Sequence, residues 1–184
     1  MSVPDARLSA TPSDADLVRT YQGGDERGAT ELVNRHVSAV GRFLNSAGAD
    51  PGELDDLVQE TFIRAFRALD GWRGEAAFRT WLMTIASNLL KDQFRRWHGR
   101  VVVPIEEGDL IAHDDPSARL DAGETERTLT QGLATLPRLQ REVFLLRAQQ
   151  GMEYEEIARA LDTTPRAARV HYHNAVKRLK ELVA

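Results

Sequence analysis

The sequence predicts an all-α chain, two small helical domains joined by a flexible acidic linker, with a helix-turn-helix in the C-terminal domain. Three observations predict it. Apolar residues recur at three- and four-residue steps over most of the 184 residues. No segment shows the sustained two-residue alternation of a strand. The helical period lapses over residues 98–125, where VVVP and IEEGDLIAHDDPS carry a block of carboxylates.

Taken in order, residues 1–13 are rich in Ser, Pro and Ala and are expected to be disordered. From Asp14 the pattern is helical, with Leu32, Val33, His36, Val37, Val40, Phe43 and Leu44 on one stripe, and GADPG at residues 48–52 ends it. A second amphipathic helix starts near Glu53 and carries Leu54, Leu57, Val58, Phe62, Ala65, Phe66 and Leu69. After the Gly-rich DGWRGE a third runs from about Ala76 to Trp97. Beyond the linker, TERTLTQGLATL, PRLQREVFLLRAQQG, YEEIARALD and TPRAARVHYHNAVKRLK give four more helical patterns. The expected units are therefore residues 14–97 and 126–184, tethered by 98–125.

Charge is segregated along this layout. The net value is -4, yet residues 1–70 carry -5, residues 71–100 +4, residues 101–125 -6 and residues 126–184 +3. Two basic blocks between acidic ones point to two separate contacts with a polyanion, unlike a uniformly basic coat. There is no cysteine, so no disulfide framework or thiolate metal site, and the polar start lacks an apolar signal core. No apolar run approaches the roughly 18 residues that cross a bilayer, so a cytoplasmic protein without membrane insertion is expected. HExxH and GxSxG are absent and the five His are scattered. His171 and His173, two apart on a helix, point to different faces, so no metal, cofactor or enzyme activity is expected.

The last helix has the layout of a recognition helix: a short helix and polar turn precede it, Thr164 suits the N-cap and Pro165 the first helical position. Ala168, Tyr172, Ala175, Val176 and Leu179 share the face that packs on Ile157 and Leu161. The opposite face presents Arg166, Arg169, Val170, His173, Asn174 and Lys177. Those types suit a major groove: Arg for guanine, Asn for adenine, an aliphatic group for the thymine methyl, Lys for phosphate. A solvated basic face favoured by the helix dipole is the alternative.

On the second helix Ile63 falls at the centre of the polar face, flanked by Asp56, Gln59, Glu60 and Arg67. It is either a solitary exposed apolar residue or the middle of a protein contact with a polar rim. The third helix buries Phe78, Trp81, Leu82, Ile85 and Leu89, while Thr80, Thr84, Ser87, Asn88, Lys91 and Arg95 form a polar stripe without a carboxylate, able to follow a nucleic-acid strand. Before it, Trp72 beside Arg73 is either a cap on the core or a platform for an unpaired base.

DDLVQETFIRAFRALDGWRGEAAFRTWLMTIASNLLKDQFRR resembles region two of the extracytoplasmic-function group of bacterial sigma factors, and LPRLQREVFLLRAQQGMEYEEIARAL with the helix-turn-helix resembles their region four. The resemblance spans about 165 residues in the right order, with the linker between. It implies an initiation subunit that binds core RNA polymerase and directs promoter-specific transcription, without catalysis of its own. It implies that Asp56, Gln59, Glu60 and Ile63 dock on the polymerase clamp. Trp72, Ala76, Ala77 and Asn88 would hold a flipped base of the minus-ten element, with Thr84, Lys91 and Arg95 along the same DNA. Arg169, Val170, His173 and Asn174, with Arg166 and Lys177, would read the minus-thirty-five element. An anti-sigma factor is the regulator the resemblance implies.

Four positions depart from the family pattern, which usually has serine at Val170, arginine at His171 and Asn174, and arginine at Thr84. The resemblance therefore carries over the positions and not the promoter sequence. A dimeric operator-binding regulator is the rival, but residues 14–97 offer no effector pocket and no Gly-rich phosphate loop.

Overall fold

The computed structural model describes residues 11–98 and 125–183, so the expectations for residues 1–10 and for the body of the linker lie outside the described residues. Four helices build the first unit: α1 (Asp14–Gln22), α2 (Arg27–Ala47), α3 (Leu54–Arg67) and α4 (Phe78–His98). Four more build the second: α5 (Thr125–Thr135), α6 (Arg138–Phe144), α7 (Tyr154–Leu161) and α8 (Pro165–Val183). No strand occurs among the described residues. This is the all-α, two-domain arrangement that the periodicity predicts.

Local chemistry sets the boundaries. Ser13 caps α1 in a reciprocal capping box with Asp16. The single helix expected from Asp14 is in fact broken at Gly23–Glu26, where Gly24 has φ 92°, and the broken pair lets α1 fold back along α2. His36 Nε2 lies 2.8 Å from Asp14 Oδ2 and ties the two helices together. On α2 the buried stripe is Leu32, His36, Ala39, Val40, Phe43, Leu44 and Ala47. Val37, expected on that stripe, is exposed instead, because the neighbouring helices cover a narrower arc than the sequence pattern suggests. Asp55 and Asp56 open α3 and Arg64 and Arg67 close it, both favourable to the helix dipole.

A short 3-10 turn, Leu69–Gly71, and the loop to Ala77 join α3 to α4. Phe78, 1% exposed, anchors that junction: the rings of His36, Trp72 and Trp81 lie 5.5, 5.9 and 5.7 Å from its own. Removing such a ring costs about 3–5 kcal/mol. Gln93 Nε2 donates to Glu53 Oε2 at 2.9 Å, holding the start of α3 to α4.

In the second unit α6 runs into a π-helical turn, Leu145–Gln149. Glu153 and Glu156 form a capping box at the start of α7. Asp162 closes α7 at φ 54°, a left-handed conformation that Asp tolerates better than most residues and that turns the chain toward α8. Thr164 Oγ1 then accepts from the Ala167 N–H at 3.1 Å and Pro165 is the first helical residue, as expected from the sequence. The apolar cores of the two units are continuous: α4 packs on α7, and the C-terminal end of α2 meets α5, α6 and the π turn.

Candidate functional site

Three surfaces carry the residues singled out in the sequence. On α3, Asp56 and Gln59 are exposed, and Glu60 accepts from Arg64 Nε at 2.7 Å, an i,i+4 pair. Ile63 is only half-buried and not fully exposed as its wheel position suggests, because Phe62 and Phe66 beside it close over the core. It still lies on the outer side of the helix with Asp56, Gln59 and Glu60, an apolar centre with a polar edge.

The second surface joins the loop before α4 to the outer face of α4. Trp72 Nε1 donates to the Ala76 carbonyl at 3.2 Å, and its ring meets Phe78 edge-on. The indole therefore caps the core and also walls a cavity of about 450 Å3, which brings Trp72, Arg73, Ala76, Trp81 and Thr84 together. Ala77 is exposed at its edge, and Asn88 is exposed one turn beyond Thr84.

Three details depart from the expected stripe. Thr84 Oγ1 donates back to the Thr80 carbonyl at 3.0 Å, so its hydroxyl is engaged in the helix. Ser87 is 2% exposed and belongs to the interior. Asp92 pairs with Arg95 at 3.1 Å, so a carboxylate does border the stripe. Lys91 is half-buried, and Arg95 is exposed.

The third surface is the outer face of α8. Arg166, Arg169 and Lys177 are exposed, and Val170, His173 and Asn174 are partly so. Arg169 packs its guanidinium over Tyr154 at 5.0 Å. His171 turns inward: its Nδ1 is buried without a partner, and burial pushes its pKa below the usual histidine range. Among the described residues no cluster of His, Asp and Glu fits a metal ion, and no helix is long and apolar enough to cross a membrane.

The sequence reading missed Arg79, Arg141 and Gln150, which join the two units. Arg79 lies within the FRTWL motif, but nothing in its local pattern names a partner 71 residues away.

The order of these surfaces along the chain is matched by known families. The Sigma-70 region 2 profile matches residues 32–100, and the Sigma-70 region 4 profile matches residues 126–179. The ECF RNA polymerase sigma-E factor of Salmonella typhimurium is 35% identical over 169 residues, covering 84% of this chain and 86% of its own. The chain belongs to the extracytoplasmic-function group of sigma-70 factors. The sigma-E factor of Haemophilus influenzae is 32% identical over 160 residues, covering 82% of this chain and 84% of that one.

Among solved structures, CnrH in complex with the cytosolic domain of CnrY superposes with a TM-score of 0.67 at 27% identity, covering 94% of this chain and 97% of that one. The RpoE–NepR complex of Bartonella quintana, at 23% identity over 84% of this chain and 95% of that one, has the same fold with a TM-score of 0.66. As a sigma factor the protein binds core RNA polymerase and directs promoter-specific initiation, and its function is non-enzymatic.

Proposed function

We propose that residues 14–97 bind core polymerase and the minus-ten element, that 126–184 read the minus-thirty-five element, and that 98–125 link them. The clamp of the polymerase docks on Asp56, Gln59, Glu60 and Ile63. An unpaired base of the non-template strand enters beside Trp72, Ala76, Ala77 and Asn88, and Thr84, Lys91 and Arg95 border the adjoining DNA backbone. Arg169, Val170, His173 and Asn174 face base edges in the major groove, and Arg166 and Lys177 flank them toward phosphates.

The observation that carries this reading is the cavity under Trp72, which opens beside a helix face whose exposed side chains are neutral or basic apart from the paired Asp92. An unpaired base gains on the order of 1–3 kcal/mol from stacking in such a site. The protein works in the cytoplasm with the polymerase, and an anti-sigma factor holds it inactive. CnrH, 27% identical, is solved in complex with the cytosolic domain of CnrY, which supports control by a bound protein partner.

Run-off transcription by core polymerase on a library of promoter fragments tests the reading. Initiation from a defined set that requires both upstream and minus-ten sequences is expected. Binding to core polymerase with no promoter selection would overturn the DNA assignments.

A further inference from the structure

Phe78 supports both aromatic walls of the cavity. Trp72 and Trp81 line that space, and their rings lie 5.9 and 5.7 Å from the Phe78 ring, Trp72 edge-on at 84°. A third ring touches Phe78 without lining the cavity: His36 of α2, 7% exposed, 5.5 Å away at 49°. A phenyl ring has a broad torsion about the bond that carries it, so its neighbours set its plane.

The imidazole is itself held. Its Nε2 donates to Asp14 Oδ2 at 2.8 Å, since a carboxylate oxygen only accepts. Asp14 is fixed in turn, with Oδ1 3.3 Å from Arg35 Nη1. That guanidinium also donates to the Pro12 carbonyl at 2.7 Å and to Glu31 Oε1 at 2.9 Å. A ring anchored at its far end presents one fixed face to Phe78, the kind of support that keeps a binding wall in place.

We propose that His36 is a positioning residue for promoter opening: through Phe78 it sets the angle at which the Trp72 indole walls the cavity. Its part in opening rests on the reading of that cavity as the site of the unpaired base; its hold on the indole does not.

Two replacements separate the ring from the tie. Gln keeps an N–H near the place of the imidazole Nε2 and removes the ring, whereas Phe keeps a ring and removes the N–H. The full chain labelled with 5-fluorotryptophan gives a fluorine resonance for each of its three Trp, that of Trp72 assigned by its loss in Trp72→Phe. His36→Gln is expected to shift the Trp72 resonance, and His36→Phe to leave it closer to the parent's. Asp14→Asn, at a half-buried position, keeps the imidazole and weakens its anchor, and a smaller shift is expected; this arm carries the test should His36→Gln fail to fold.

In holoenzyme, below the melting temperature of each variant, permanganate reactivity of promoter thymines is expected to fall about fivefold for His36→Gln and less than about twofold for His36→Phe. Closed-complex affinity at low temperature is expected to be alike in all three. On a Trp72→Ala background, His36→Gln is expected to reduce opening no further.

A Trp72 resonance unmoved by His36→Gln, or by Asp14→Asn where that variant stands in, overturns the positioning. Parent-like opening by His36→Gln overturns the part in opening. So does a loss that follows the melting temperatures of the two His36 variants, or one that persists undiminished with Trp72→Ala. Trp72→Ala alone separates the underlying reading: if it opens promoters like the parent, the base-site reading falls and the part in opening with it, while the resonance still decides whether His36 sets the indole.

Discussion

The guanidinium carbon of Arg169 lies 5.0 Å from the centre of the Tyr154 ring, and that of Arg147 lies 5.0 Å from the same ring. Arg147 is further fixed by donating to the Met152 carbonyl at 2.9 Å, so α7 offers Arg169 a positioned aromatic surface. An exposed arginine held this way keeps its donors outward and loses less freedom when it meets a base.

Arg169→Ala is expected to cost about 1–3 kcal/mol in recognition of the upstream element. Tyr154→Leu keeps the cation but removes its support, and a smaller loss at the same base is expected. Holoenzyme activity on an intact duplex promoter, on one with a scrambled upstream element and on a pre-melted minus-ten fragment checks both. The loss belongs to the first template. Equal impairment on all three would give α8 a different role.

On α3 the half-buried setting of Ile63 means that a charge there is partly a stability change. Ile63→Asp is expected to abolish core polymerase binding and to lower the melting temperature. The exposed Gln59 supplies the cleaner arm: Gln59→Arg is expected to weaken core binding by about tenfold with the fold unchanged. Circular dichroism with a pull-down against core polymerase reads both. A well-folded Gln59→Arg that binds normally moves the docking surface elsewhere.

Glu142 gives the protein a pH dependence. The residue is 1% exposed on α6, and burial pushes its pKa up to about 7, with Arg138, Lys91 and Arg141 opposing the rise. Glu142 Oε1 lies 3.0 Å from Arg138 Nη1, yet the two atoms are not aligned for a hydrogen bond, so the ion pair only partly offsets desolvation. Because the folded value lies above the unfolded one, the protonated acid stabilises the fold at pH below the ordinary glutamate range. That contribution, on the order of 3 kcal/mol, is lost as pH rises through about 7. Chemical denaturation at about pH 5 and pH 8 is expected to show the parent less stable at the higher pH, with Glu142→Gln flattening the difference. A parent profile as flat as the variant's would place the carboxylate's charge in a better-solvated setting.

Much of this architecture is legible in the sequence because it is set locally. The starts of α3 and α8 follow from GADPG and from the Thr164–Pro165 pair, and the inner face of α8 from three- and four-residue spacing. The break at Gly23–Gly24 is written in the chain too, but the strong stripe from Leu32 onward hides it. The junction of the two units is not legible. Arg79 meets Gln150, and Arg141 meets Ala47, across a segment whose composition says only that it links. The dual part of Trp72 is hidden for a related reason: whether an aromatic in a loop faces inward or outward depends on Phe78, whose position the fold alone decides.

That dual part makes Trp72 and Asn88 the informative pair for strand opening. Trp72 holds its loop through the bond to Ala76 and the contact with Phe78, so Trp72→Ala is expected to cost stability as well as promoter opening. Trp72→Phe keeps an aromatic wall and loses the N–H, and partial opening is expected. Asn88 is exposed on α4, so Asn88→Ala is expected to leave stability within about 0.5 kcal/mol while reducing opening. Permanganate reactivity of promoter thymines in holoenzyme complexes measures the opening, and closed-complex affinity at low temperature measures what precedes it. The expected order of opening is parent, Trp72→Phe, Trp72→Ala, with Asn88→Ala impaired and all four alike in closed binding. If Trp72→Ala loses stability but opens promoters like the parent once folded, the indole serves the core alone, and the base is held by other residues of the cavity.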